Sequence, residues 1–308
     1  MVIGIDIGGT TVKVGIFDDG KLIKKFEVPT GRITDGEEII KNIIREIKLE
    51  LKKSNVDDLA VKGVGIGVPG GVINETFVPL CVNLNIKELD IGKIFKSEFE
   101  NAIVKVNNDA NVAALGEISF GIAKDFNDAI MITLGTGVGG GVIINNQILQ
   151  GNLGLSGEVG HMVVDRDEQY PCSCGKYGCL EQYCSARGVV ALAKRIYNEY
   201  VNTNLNILDF ECRDVFELAK TGDELCNIVV DKFVDILAFS LANLASVLDT
   251  ECFILGGGVS KSADFFKDKL IDKFNKYLLV GQKNKIKILI AKLGNDAGIY
   301  GAARMVVD

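Results

Sequence analysis

Cys172, Cys174 and Cys179 stand in the run Cys172-Ser173-Cys174-Gly175-Lys176-Tyr177-Gly178-Cys179, a short way after His161, the one histidine of the chain. Three thiolates and an imidazole complete a tetrahedral zinc shell, and four protein ligands leave no position for an activated water. The expected chemistry is structural: an ion that braces a loop so that other groups stay in place. Gly175 and Gly178 allow the positive φ needed to turn three sulfurs toward one ion. The alternative is a glycine-rich loop of reduced thiols; the Cys-x-Cys-x4-Cys spacing and the histidine upstream favour zinc. Cys81, Cys184, Cys212, Cys226 and Cys252 are scattered in apolar or helical surroundings, where cysteine behaves as a small hydrophobe, and no disulfide is expected.

Glycine turns with interleaved threonines are the second chemical signal. Gly8-Gly9-Thr10-Thr11 follows the strand-like Val2 to Ile7, and Gly135-Thr136-Gly137 follows Ala129 to Thr133. Amides in such turns converge on an anion without obstruction by Cβ atoms, and threonine hydroxyls add donors, so both suit a polyphosphate. Neither is a Walker A loop, and either alone reads equally well as a tight hairpin; two at equivalent places carry more weight. A third cluster, Gly256-Gly257-Gly258, follows Cys252 to Ile254 and precedes a helical stretch, where a nucleotide's base and sugar fit against backbone. Its spacing is not G-x-G-x-x-G, which sets dinucleotide binding aside.

These turns need a scaffold. Each of the first two sits between strands, and the second strand of each pair runs to a further turn, at Asp18-Asp19-Gly20 and at Asn145-Asn146. Helices follow in each half: residues 37–53 place Ile39, Ile40, Ile43, Ile44, Ile47 and Leu51 on one face, and residues 224–248 repeat that spacing. Residues 62–68, ending in Pro69-Gly70, and 102–107 read as further core strands. Two related α/β halves around a central cleft are expected, with a hinge near Gly116 to Gly121. A small domain would take residues 1–118, joined by a C-terminal helix at 296–308, and a large domain carrying the zinc loop residues 119–295.

With 308 residues, 47% of them hydrophobic, the chain can bury a large core, and a net charge of −7 leaves no basic footprint for nucleic acid. The first apolar stretch is interrupted by Asp6, Gly8 and Gly9, so neither a leader nor a membrane span is expected, and the cytoplasm is the expected compartment.

Asp6 to Lys13, Asn108-Asp109-Ala110-Asn111, Gly157-Glu158-Val159-Gly160-His161, the cysteine run continuing to Leu180-Glu181, and Leu255 to Val259 together resemble the ROK family (repressor, open reading frame, kinase) across nearly the whole chain. Its kinases share the hexokinase, actin and heat-shock ATPase fold of two ribonuclease-H-like domains. The resemblance is strongest to glucokinases and implies transfer of a phosphoryl group from Mg-ATP to a hexose, with glucose first and fructose or N-acetylmannosamine as alternatives. It implies Asp109 as general base, with capping of the following helix as the other role open to it. It implies sugar contacts from Gly70, Asn83, Asn108, Glu158, His161 and Glu181, His161 serving zinc as well. Nucleotide contacts are implied for Asp6, Gly8, Gly9, Thr10, Thr11, Lys13, Thr136, Gly137, Gly256, Gly257 and Gly258, and assembly as a homodimer or homotetramer. Family regulators place a DNA-binding segment before the kinase-like domains; with a strand starting at Val2 that activity is the remote alternative.

Two departures stand out. Where many glucokinases of the family carry a Trp after Asn-Leu, this chain reads Asn83-Leu84-Asn85-Ile86-Lys87 and has no Trp. Gly71 follows Pro69-Gly70 where bulkier residues are common in the family, which predicts a roomier or looser sugar pocket.

Overall fold

Ile3, Ile5, Ile7, Val12, Val14, Val64, Ile66 and Val106 are almost wholly withdrawn from solvent, as expected for strands covered on both faces. They belong to the first sheet of the computed structural model, which describes residues 1–31, 35–199 and 203–307. Asp308, the end of the expected C-terminal helix, lies outside the described residues.

In chain order the elements are β1 (Val2–Ile7), β2 (Thr11–Asp18), β3 (Lys21–Pro29), α1 (Gly36–Lys53), β4 (Gly63–Val68), β5 (Phe77–Cys81), β6 (Ile86–Asp90), α2 (Ile91–Glu98), β7 (Ile103–Asn108) and α3 (Asp109–Phe120). There follow β8 (Ala129–Leu134), β9 (Val138–Ile144), β10 (Gln147–Ile148), α4 (Glu181–Cys184), α5 (Ala186–Ile196), α6 (Cys212–Lys220), α7 (Glu224–Leu248), β11 (Cys252–Gly256), α8 (Ala263–Tyr277), β12 (Lys287–Ile290) and α9 (Ala297–Arg304).

The first sheet has the order β3-β2-β1-β4-β7 and the second repeats it as β10-β9-β8-β11-β12. In the first, β1 to β3 are antiparallel while β1, β4 and β7 are parallel. In the second, β8, β11 and β12 are parallel. The duplicated glycine turn therefore sits at one place in a duplicated topology, between the first strand of each sheet and its partner.

Local chemistry accounts for the elements. Helix α1 starts where Asp35 accepts the Glu37 amide at 2.9 Å, carries Glu37 and Glu38 in its first turn and Lys52 and Lys53 in its last, and complements its dipole at both ends. Its six predicted apolar residues are all buried, each stabilising the fold by about 1.5–3 kcal/mol.

The chain forms two compact units: Met1–Asn127 with Gly141–Gly157 and Lys292–Asp308, and Asp128–Gly140 with Glu158–Ala291. Gly116 to Gly121, the expected hinge, lies inside the first. There Gly116 faces the Ala297 carbonyl of α9, and buried Glu117 accepts the Ile122 and Leu293 amides at 3.0 and 2.7 Å. Among the described residues no helix is long and apolar enough to cross a membrane.

Candidate functional site

The first unit gathers several of the candidate residues at the C-terminal ends of its parallel strands. Asp6 of β1 pairs in register with Gly67 of β4, and Gly67 with Asn107 of β7. A Cβ at Gly67 would stand 3.5 Å from the Asp109 Cα. Burial raises the Asp6 carboxyl above its ordinary range, with Lys13 opposing, and α9 packs so close that a Cβ at Gly298 would lie 2.5 Å from Asp6 Oδ2. The glycine turn closes where the Gly8 amide donates to Thr11 O at 3.1 Å and Thr30 Oγ1 donates to Gly8 O at 2.9 Å. Gly9 and Thr10 are left exposed. Lys13 Nζ donates to Asn295 O at 3.1 Å.

Asn108, not Asp109, caps α3: its Oδ1 accepts from the Ala110 and Asn111 amides at 2.9 and 3.3 Å. Asp109 is the first residue of the helix, its Oδ1 accepting from Ala110 at 2.8 Å. Asn108 Nδ2 also reaches Gly70 O at 3.4 Å. The Cys81 thiol donates to Pro69 O at 3.2 Å. A Cβ at Gly70 would stand 3.0 Å from Leu80 O and 3.2 Å from Cys81 Cβ, which is why this turn needs glycine. Burial pushes the Cys81 thiol up, and the Asp109 charge adds to the rise. Asn83 follows in a short helical turn, exposed. A Cβ at Gly71 would meet Leu155 Cδ2 at 3.0 Å.

In the second unit the zinc candidates converge. Cys172 Sγ lies 3.7 Å from His161 Nδ1, Cys174 Sγ lies 3.7 Å from Cys179 Sγ, and all four ligand atoms fall within 4.8 Å of one another. Zn–S bonds near 2.3 Å make a tetrahedron with edges of about 3.8 Å, so the donor set fits a closed zinc shell. Gly175 and Gly178 take φ of 85° and 68°. Side chains buttress this loop: the Tyr183 hydroxyl shares its one hydrogen between Asp165 Oδ2 at 2.7 Å and Glu168 Oε2 at 2.8 Å, and Arg195 pairs with Glu168 at 2.5 Å. Burial would raise the Glu168 carboxyl, but the Tyr170 amide, Arg195 and Tyr183 outweigh it and bring the pKa to about 2.

Glu158, exposed, opens the short helical turn Val159–His161, and His161 is half-buried. Glu181 begins α4; its Oε2 accepts the Val138 amide at 2.9 Å, just after the second glycine turn. That turn is closed by Gly135 N donating to Gly137 O at 3.0 Å, and Ala186 N of α5 donates to Gly135 O at 2.8 Å. Thr136 is exposed.

Beside this turn opens a cavity of 1010 Å³, lined by Gly135, Thr136 and Gly258 together with faces of α5 and α6. Of the third cluster only Gly258 lines it. Gly257 takes φ of 84° against the Leu134 backbone, and Gly256 packs on Met131. Arg187, Val190, Ala191 and Lys194 line the cavity from α5, and Lys194 lies 5.6 Å from the Phe210 ring, which lines it too. None of these was anticipated. Their i, i+3, i+4, i+7 spacing marks a helix face, though not what it faces.

The ROK family pattern matches residues 2–308. The chain is similar to the glucokinase of Halalkalibacterium halodurans, 36% identical, with 99% of this chain and 94% of that one covered. It is similar to the glucokinase of Thermotoga maritima, 31% identical, with 100% and 97% covered. Among solved structures, a ROK family glucokinase from Streptomyces griseus in complex with glucose and AMPPNP superposes with a TM-score of 0.76, at 33% identity, covering 99% of this chain and 98% of that one. The fold is thus the expected hexokinase and actin type.

Proposed function

The chain belongs to the ROK family, and on that premise we propose that it is an ATP-dependent hexose kinase whose acceptor is the 6-hydroxyl of glucose. The observation that carries this reading is the Streptomyces griseus relative, which binds glucose and an ATP analogue on the same fold at 33% identity.

In this reading Asp109 accepts the proton of the sugar hydroxyl as its oxygen attacks the γ-phosphorus, and ADP leaves. The positive end of α3 favours the charge on that carboxylate, and Asn108 caps the helix through its own side chain. Asn108, Gly70 and Asn83 contribute to the sugar side of the first unit, and Glu158, His161 and Glu181 to that of the second. With Nδ1 of His161 turned to the cysteines, Nε2 is the atom left for a hydroxyl. Carboxylates offer acceptor-only oxygens to a ring of hydroxyl donors, which suits Glu158 and Glu181. His161, Cys172, Cys174 and Cys179 would hold a zinc ion, which would brace this loop rather than take part in the transfer. Asp6 is the carboxylate that would meet the Mg2+ brought with ATP, whose chemistry would be to neutralise phosphate charge. Gly8 to Thr11 of the first unit and Thr136 and Gly137 of the second are the phosphate turns in this reading, and the 1010 Å³ cavity takes the adenosine. Work in the cytoplasm as a dimer or tetramer accompanies this reading as the family expectation.

A panel of glucose, fructose and N-acetylmannosamine with Mg-ATP, read as ADP release, tests it. The largest kcat/KM is expected for glucose. A larger value for either other sugar overturns the glucose assignment, and no sugar-dependent ADP release overturns the kinase.

A further inference from the structure

Glu181 touches more than a sugar site. Its Oε2 holds the Val138 amide at 2.9 Å, its carboxylate packs so closely on Gly137 that a Cβ there would overlap it, and Oε1 lies 3.4 Å from Ser173 Oγ between two of the zinc cysteines. The other sugar-side segment reaches the same residue, since a Cβ at Gly160, between Glu158 and His161, would overlap the Val138 carbonyl. Ala186, five residues along from Glu181, holds the far end of the turn at Gly135 O. The phosphate turn is therefore clamped at both ends by the segment that begins with Glu181.

We propose that Glu181 couples the two substrates, holding the Gly135 to Val138 turn in its phosphate-accepting shape most firmly when a hexose hydroxyl is bound to the same carboxylate. The proposal rests on the hexose reading above. A carboxylate accepts at about four lone-pair positions, so a hydroxyl on Oε1 leaves the Val138 bond on Oε2 in place. Anchoring both oxygens removes rotamer freedom from a long side chain. The turn that Oε2 holds is then ordered before the nucleotide arrives, and the second ligand has less ordering left to do. Such coupling is reciprocal: glucose must tighten nucleotide binding by the same factor as nucleotide tightens glucose binding.

Calorimetric titration of the zinc-loaded chain with glucose and Mg-AMPPNP, in both orders, tests this. Saturating glucose is expected to lower the AMPPNP Kd by about fivefold or more. Glu181→Gln keeps an oxygen for the Val138 amide and should retain the coupling within about twofold. Glu181→Ala, titrated at glucose concentrations above its own Kd, should lose it. Hydrogen exchange supplies a second readout: glucose alone should slow exchange of the Val138 amide in the wild-type chain and not in Glu181→Ala. If both ligands bind the wild-type chain with no mutual effect, or Glu181→Ala couples them as strongly, the proposal is overturned while the hexose kinase stands. If glucose does not bind at all, the hexose reading and the coupling fall together.

Discussion

Asn108 and Asp109 divide the start of α3 between them: Asn108 caps the helix through its side-chain oxygen, and Asp109 occupies the first helical position. Either residue type serves as a cap, so the sequence alone left that role open to Asp109. The division separates two outcomes that a substitution at a cap would mix. Asp109→Asn should cut kcat by about 100-fold or more with a melting temperature close to wild type. Asn108→Ala should cost about 1 kcal/mol of stability. Steady-state kinetics and thermal melts of both variants check this; near-normal turnover of Asp109→Asn removes it as the base.

One zinc per chain is expected by metal analysis. Cys174→Ser should lower both zinc content and melting temperature and raise KM for glucose, because metal binding is coupled to local folding. Cys184 is buried elsewhere, its thiol donating to Phe233 O, so Cys184→Ala should keep the full zinc content. Protein prepared without metal loss that contains no zinc would remove the site.

The cavity beside Gly258 gives a test that separates the substrates. Ala191 lines it from α5, and Ala191→Phe would fill space assigned to adenosine. KM for ATP should rise by about tenfold, equivalent to about 1.4 kcal/mol, with KM for glucose little changed. Equal increases in both would argue that the cavity does not hold the nucleotide.

Glu168 predicts a pH signature. Its folded pKa is lowered to about 2 from 4.5, so the stability it contributes is present above pH 4.5 and lost as pH falls from there toward about 2. Melts at fixed ionic strength should show wild type more stable than Glu168→Gln by on the order of 1–3 kcal/mol at neutral pH, with the gap narrowing through that window. A gap independent of pH would mean that packing, not charge, carries the contribution.

Much of this molecule is written locally. The turns at Asp19-Gly20 and Asn145-Asn146, the positive φ at Gly175 and Gly178, the buried stripe of α1 and the spacing of the cysteines all depend on neighbours within a turn or two. Residue type and spacing suffice for such features, and the duplication of the glycine turns follows from two stretches of chain obeying the same rules. What tertiary structure alone decided involves groups distant in sequence. Leu155 lies beside Gly71, Asp6 lies against Gly298, Glu181 takes the Val138 amide, and the faces of α5 and α6 become walls of one cavity with Gly258. A helix face announces that it will be covered, but its partner is chosen by shape and by unpaired hydrogen-bonding groups that meet only once the chain has folded.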